Sequence, residues 1–122
     1  MASSVLDKET LATVVENEGV VLLVRGRTAS ITQSGTRSES VDITAEVLEV
    51  IHGKMGQNIS LRRYTGKGDV VIESGKLYVV AAIPNARFGT ALQLIGEVAT
   101  DDSARSTLVE AHRTAIKALQ SR

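Results

Sequence analysis

The seven residues from Leu77 to Ile83, LYVVAAI, are apolar at every position. Successive side chains of a strand point to opposite faces, so a strand with one wet face alternates apolar and polar residues. A run with no polar member predicts a central strand buried on both faces. Pro84 cannot donate to a ladder and is expected to end it. The run is far shorter than the roughly 20 residues a membrane-spanning helix needs. Val20–Val24, VVLLV, makes the same demand. Its second face must be covered from outside the sheet, and the nearest candidate for that cover is an N-terminal helix.

Such a helix is expected over about residues 5–17. Leu11, Val14 and Val15 recur at helical spacing. Ser4 with Asp7 three residues on approximates a capping box, and Gly19 is placed to end the helix in a left-handed cap. The period then changes. Val20–Gln33 is rich in β-branched residues and predicts one long strand, with Gly26 at the place of a bulge or bend. Val41, Ile43, Ala45 and Val47 alternate with Asp42, Thr44 and Glu46, which predicts a half-buried second strand. The alternation slips at Leu48, as it does where a bulge inserts a residue.

After the turn VIHGKMGQN (Val50–Asn58), Ile59 and Leu61 open a third strand that ends at Tyr64. Gly53 is expected to hold a backbone conformation costly for a residue with a β-carbon. Val70–Ile72 predicts a short extra strand, and Leu77–Ile83 is the fourth of the main series. Asn85–Gly89 predicts a hairpin loop. Thr90–Ala99 predicts a fifth strand, with Leu92, Leu94 and Val98 on one face. A closing helix is expected over about 102–120. Asp101 or Asp102 would cap it, and its stripe is Leu108, Ala115, Ile116 and Leu119.

Five strands at meander spacing between two helices predict a mainly β fold. A five-stranded OB-type barrel over about residues 20–99 fits the two long, bent first strands. An open antiparallel sheet under two helices is the alternative. The 122 residues are expected to form one domain. Only Tyr64, Tyr78 and Phe88 are aromatic, so the core must be aliphatic. Fourteen basic and fourteen acidic residues cancel, so no net field draws the chain to polyanions. There is no cysteine, which excludes disulfides, thiolate chemistry and Cys-based metal sites. No basic start followed by a long apolar segment stands at Met1-Ala2-Ser3-Ser4. The chain is expected to be cytosolic if Met1 is native, or exported with its leader removed.

Three stretches carry a family resemblance: ETLATVVENEGVVLLVRGRTASI (Glu9–Ile31), VDITAEVLEVIHGKMGQNISLRR (Val41–Arg63) and ESGKLYVVAAI (Glu73–Ile83). Together they resemble the tissue-inhibitor-of-metalloproteinase/netrin-like OB-fold domains of bacterial exported proteins. The shared pattern is a short helix, then a strand that bends at a glycine, here within Val24–Arg27. A second strand ends in an apolar-apolar-basic-Gly turn, and a fourth opens with a glycine, an apolar residue and a tyrosine. His52 departs from the pattern, standing where Lys or Arg is common. The family's animal inhibitors bind protease zinc through an N-terminal cysteine, and this chain has none. The resemblance implies a non-enzymatic protein-interaction module, periplasmic or extracellular.

Catalytic patterns fail one by one. A P-loop needs Gly, four residues, Gly-Lys and Ser or Thr. The pairs Gly53-Lys54, Gly66-Lys67 and Gly75-Lys76 have Leu48, Leu61 and Val70 at the first-glycine position, and none is followed by Ser or Thr. The two histidines, His52 and His112, do not share a helical i, i+4 spacing, so a two-histidine zinc site on one helix is excluded. His52 reads as a solvated turn residue, and His112, which falls on the stripe with Leu108, Ala115 and Ile116, as a helix-border residue. No Gly-x-Ser-x-Gly elbow exists. Asp101-Asp102 sits at a helix start, where carboxylates have a structural reason to be. No catalytic residue, cofactor or metal is expected.

An OB barrel binds on the face of strands two and three, flanked by loops. That face would carry Asp42, Thr44 and Glu46 opposite Ser60, Arg62 and Tyr64, with Arg37, Arg87 and Phe88 added by loops. Glu46 and Arg62 are candidates for a cross-strand ion pair. Phe88 either plugs the open barrel end, as large apolar side chains usually do, or anchors a partner beside Arg87. The candidate binding residues are therefore Arg37, Arg62, Tyr64, Arg87 and Phe88. A protein partner is expected. Single-stranded nucleic acid is the alternative, disfavoured because its sites combine a basic groove with stacking aromatics. A small-ligand barrel is the third reading.

Overall fold

The computed structural model describes residues 5–33, 39–65, 72–86 and 89–121. The chain runs α1 (Lys8–Glu16), β1 (Val20–Gln33), β2 (Glu39–His52), β3 (Asn58–Thr65), β4 (Leu77–Pro84), β5 (Leu92–Thr100) and α2 (Arg105–Gln120). The five strands hydrogen-bond in the order β1-β2-β3-β5-β4, and β4 pairs again with β1, so the sheet closes on itself. Every pairing is antiparallel except β3 with β5, a parallel contact at Leu61–Leu92 and Arg62–Gln93. The open-sheet alternative does not survive this ring. No helix among the described residues is long and apolar enough to cross a membrane.

Closure produces two apolar layers, and these account for the uninterrupted runs. Inside the ring lie Val20, Leu22 and Val24 of β1 with Tyr78, Val80 and Ala82 of β4. The intervening Val21, Leu23, Val79 and Ala81 point outward, where Leu11 and Val14 of α1 and Leu108 and Ile116 of α2 cover them. All residues from Leu77 to Ala82 are buried. The expectation of outside cover is met by both helices, not by α1 alone.

Three bulges keep β2 and β5 in phase with these layers, and two further register shifts lie in β1, between Gly26 and Thr28, where a bulge was expected, and between Ile31 and Gln33. In the β1–β2 ladder Val24 pairs with Val47 and Leu23 with Glu49, so Leu48 is the extra residue. A second skip leaves Ile51 between Val50 and His52. Leu48 and Ile51 join the helix-facing layer, while Val47 and Val50 pack inside. In β5, Gly96 pairs with Ala81 and Leu94 with Ala82, leaving Ile95 as the extra residue. This corrects the expectation for Val98, which lies with Ile95 under the helices and not with Leu92 and Leu94 inside the ring.

Local signals are corrected in several places. The α1 cap is Asp7, whose Oδ1 accepts the Thr10 N–H at 2.7 Å; Ser4 lies outside the described residues. Glu18, at φ 55°, takes the left-handed position expected of Gly19. Gly19 is needed because a β-carbon there would collide with the Ala82 carbonyl of β4. Val70 and Val71 fall outside the described residues, and Ile72 is not in a strand but is buried inside the ring. Gly53 meets its expectation. Its φ is 89°, and a β-carbon would stand 2.8 Å from the Gly19 carbonyl oxygen.

Candidate functional site

The residues that alternate with the inner layer of β2 and β3 form a polar outer face. The register sets Asp42 opposite Arg62, Thr44 opposite Ser60 and Glu46 opposite Asn58. Thr44, Ser60 and Asn58 are exposed, and Asp42, Glu46 and Arg62 are half-buried. β1 adds the exposed Arg25 and Arg27 along the same side. Together with the Ser74–Gly75 turn they line an open groove of about 500 Å³ beside Thr44 and Glu46.

Arg62 meets Asp42 in a forked pair. Its Nε donates to Oδ1 at 2.6 Å and its Nη2 to Oδ2 at 3.4 Å. The expected Glu46–Arg62 pair is thereby corrected. Directly opposed residues bring a short carboxylate within reach, and Glu46 stands four ladder steps further on, opposite Asn58. Glu46 turns the other way and meets Arg27 of β1 at 3.4 Å. Pairs this exposed contribute up to about 1 kcal/mol each. Their main effect here is orientation: they fix alternating charge in place on a face whose three arginines, Arg25, Arg27 and Arg62, outnumber its two carboxylates by one.

Of the other candidate residues, Tyr64 is in β3 opposite Ser40, and its side chain is outside the described part. Arg37, Arg87 and Phe88 also lie outside the described residues, so the loop-borne half of the candidate site is not described. Arg62 is the one candidate whose side chain is placed, and it is on the expected face.

Asp101 and Asp102 do not form a joint carboxylate site. Asp101 Oδ1 accepts from Ser103 Oγ at 2.7 Å and from the Ala104 N–H at 2.9 Å. The Ser103 hydroxyl, with that N–H, holds the carboxyl below its ordinary range. Asp102 instead faces Arg105 at 3.5 Å. Asp101 thus closes the turn that leads into α2, and the helix itself starts only at Arg105, behind Ala104, with no side-chain cap. Neither aspartate is the helix cap that was expected: the N-cap position is Ala104.

His112 departs furthest from expectation. It is a core residue with no exposed surface, not a border residue. Its Nε2 accepts the Leu6 N–H at 3.0 Å, so Nδ1 carries the proton and donates to the Leu108 carbonyl, 2.8 Å away. His52 closes β2, half-buried, opposite Val21. Among the described residues no group of three His, Asp or Glu side chains could hold a metal ion. A second feature that the sequence did not announce lies nearby. Leu6, Lys8 and Leu11 face Ala115, Ala118 and Leu119 across an apolar groove of about 260 Å³ between the helices. Comparison with protein-family models and with curated proteins finds no match to this chain.

Proposed function

We propose that this chain is an OB-type, netrin-like barrel domain that serves as a non-catalytic protein-interaction module outside the cytoplasm. The observation that carries this reading is the internally charge-paired outer face of β2 and β3. The ring order β1-β2-β3-β5-β4, its single parallel step, and two first strands of fourteen residues each support the OB-type part of the reading. OB barrels place their ligands on the face of strands two and three.

On that face Arg62 is bound to Asp42 and Arg27 to Glu46. A nucleic-acid strand would bring phosphates against those carboxylates and would have to draw each arginine away from its partner. A protein surface of mixed charge can instead match the alternating pattern, which favours register and orientation over raw affinity. Arg87 and Phe88, which the sequence assigns to a hairpin loop, would supply the aromatic anchor that a charge-paired face lacks.

The test is a photo-crosslinking amino acid placed at Thr44, on the proposed face, and separately at Lys117, exposed on α2. A discrete protein adduct is expected in cells from position 44 and not from 117. Equal labelling from both positions rejects the assigned face. Fluorescence polarisation with labelled oligonucleotides at low and high salt covers the alternative. Tight binding that weakens steeply with salt would replace the protein-binding reading with a nucleic-acid one.

A further inference from the structure

The N-terminal segment ahead of α1 is joined to α2 by one side chain. The Leu6 N–H would otherwise be a donor without a helical partner, because α1 begins at Lys8. It is satisfied by His112 Nε2, and the same imidazole is held in register on its own helix by the Leu108 carbonyl. The ring therefore has one acceptor and one donor nitrogen, each engaged. The surrounding layer is aliphatic: Leu6, Leu11, Val14, Leu108, Val109 and Ile116. A protonated imidazole has two N–H groups and no acceptor. It cannot take the Leu6 N–H, and it would place a charge in an apolar layer.

We propose that His112 is an acid-sensitive latch. The neutral imidazole clamps the segment at Leu6 to α2. Proton uptake at Nε2 sets the two donors against each other, releases the segment and opens the apolar seam between α1 and α2. The charged groups on the elements around it pair elsewhere or are exposed, as Glu9, Glu16 and Lys117 are. Ahead of α1, the Asp7 carboxylate accepts from Thr10, and Lys8 is exposed at the groove rim. On β2, Glu49 binds Arg113 at 2.5 Å, and on α2 Glu110 binds the same guanidinium at 2.8 Å. Both ring nitrogens are occupied by main-chain groups, so no carboxylate is placed to hold the imidazolium in the closed state. Desolvation accordingly pushes the His112 pKa below its ordinary value, against the weaker opposing pull of the Leu108 carbonyl.

The expected size follows from linkage. A histidine that titrates at its ordinary 6.5 once released, and does not titrate while latched, makes release about 30-fold more favourable at pH 5.0 than at pH 7.5. The experiment is amide hydrogen exchange on the whole chain across that range, with the Leu6 protection factor read against that of Val79 in β4. Leu6 should lose up to about 30-fold in protection and stay less protected than Val79, whose exchange through global unfolding falls by no more than the same factor. H112Q offers an amide oxygen to the Leu6 N–H but does not titrate, so its Leu6 protection should be flat with pH. H52N, which removes the other histidine, should behave as wild type. Leu6 protection that is flat with pH in wild type, that falls equally in H112Q, or that only equals that of Val79 at pH 5.0, overturns the latch. Should H112Q fail to fold, nitrogen-15 shifts of the wild-type imidazole decide the matter. Nε2 must be unprotonated at pH 7.5 and must gain its proton in step with the loss at Leu6; an Nε2–H at pH 7.5 overturns the proposal.

Discussion

Gly53→Ala is expected to destabilise the chain by about 3 kcal/mol, while Gly56→Ala, three residues on in the same β2–β3 turn, should not destabilise it. At Gly53 two costs combine. The backbone sits at φ 89°, where a residue with a β-carbon pays on the order of 1–3 kcal/mol. The new methyl would also stand 2.8 Å from both the Gly19 carbonyl oxygen and Val20 Cγ1. The carbonyl is main chain at the start of β1 and cannot rotate aside, so the turn must back away from the strand at a cost of roughly 1–3 kcal/mol. Against this stands about 0.4–1 kcal/mol gained from the less flexible unfolded chain. At Gly56 nothing lies within 4 Å of the added atom and φ is not in the left-handed region, so the unfolded-state gain is left nearly alone. Urea titration followed by far-UV circular dichroism measures both variants, and thermal melts should show G53A lower by roughly 10 °C. Equal midpoints for G53A and G56A would refute the reasoning, because the two differ only in the local geometry argued to matter.

Three further predictions follow from the two layers and the outer face. Leu22→Ala leaves a cavity inside the ring at a fully buried position and should cost about 3 kcal/mol in chemical denaturation. Asp42→Ala should lower stability by no more than about 1 kcal/mol, because its ion pair with Arg62 is about a third exposed at both ends; a larger loss in the same assay would mean that the pair holds the β2–β3 ladder together. Stability should be level above about pH 6.5 and fall below it. His112 has a lowered folded-state pKa, so the unfolded chain binds more protons in that window. Asp7 and Asp101, lowered by their hydrogen bonds to Thr10 and Ser103, subtract only in the more acidic range below their ordinary 3.8. Thermal melts from pH 8 to pH 3 on wild type and H112Q separate the two windows.

The strands were legible because the sheet obeys a rule of two. β1 falls at its expected bounds, Val20–Gln33, and β4 within one residue of them, at Leu77–Pro84. The bulge after Gly26 was expected from the glycine, whereas those of β2 and β5 were legible only in part, although one signature marks all three. Val47-Leu48, Val50-Ile51 and Leu94-Ile95 are adjacent apolar pairs within otherwise alternating strands, and each contains an inserted residue. The first was read as a slip of phase. The third was passed over because Leu92, Leu94 and Val98 keep an even spacing that looks like one continuous face. An extra residue preserves even spacing in the sequence while exchanging faces in the sheet. That is why Val98 was assigned to the wrong layer.

The polar features were harder to read, for a different reason. Helical spacing put His112 on the stripe with Leu108, Ala115 and Ile116, which was the correct face. What spacing cannot supply is the partner, and a histidine within an apolar layer is tolerated only if both nitrogens are satisfied. One partner is local, the Leu108 carbonyl one turn back, where an i, i+4 pattern would find it. The other is the main-chain N–H of Leu6, 106 residues away, and a main-chain group has no signature in sequence. The same holds for Arg62. Its face was legible from alternation, yet the choice between Asp42 and Glu46 depended on register, which is set by the turns and bulges rather than by the charges themselves. Placing a charged residue on a strand face thus needs only the period, whereas naming its partner needs the ladder.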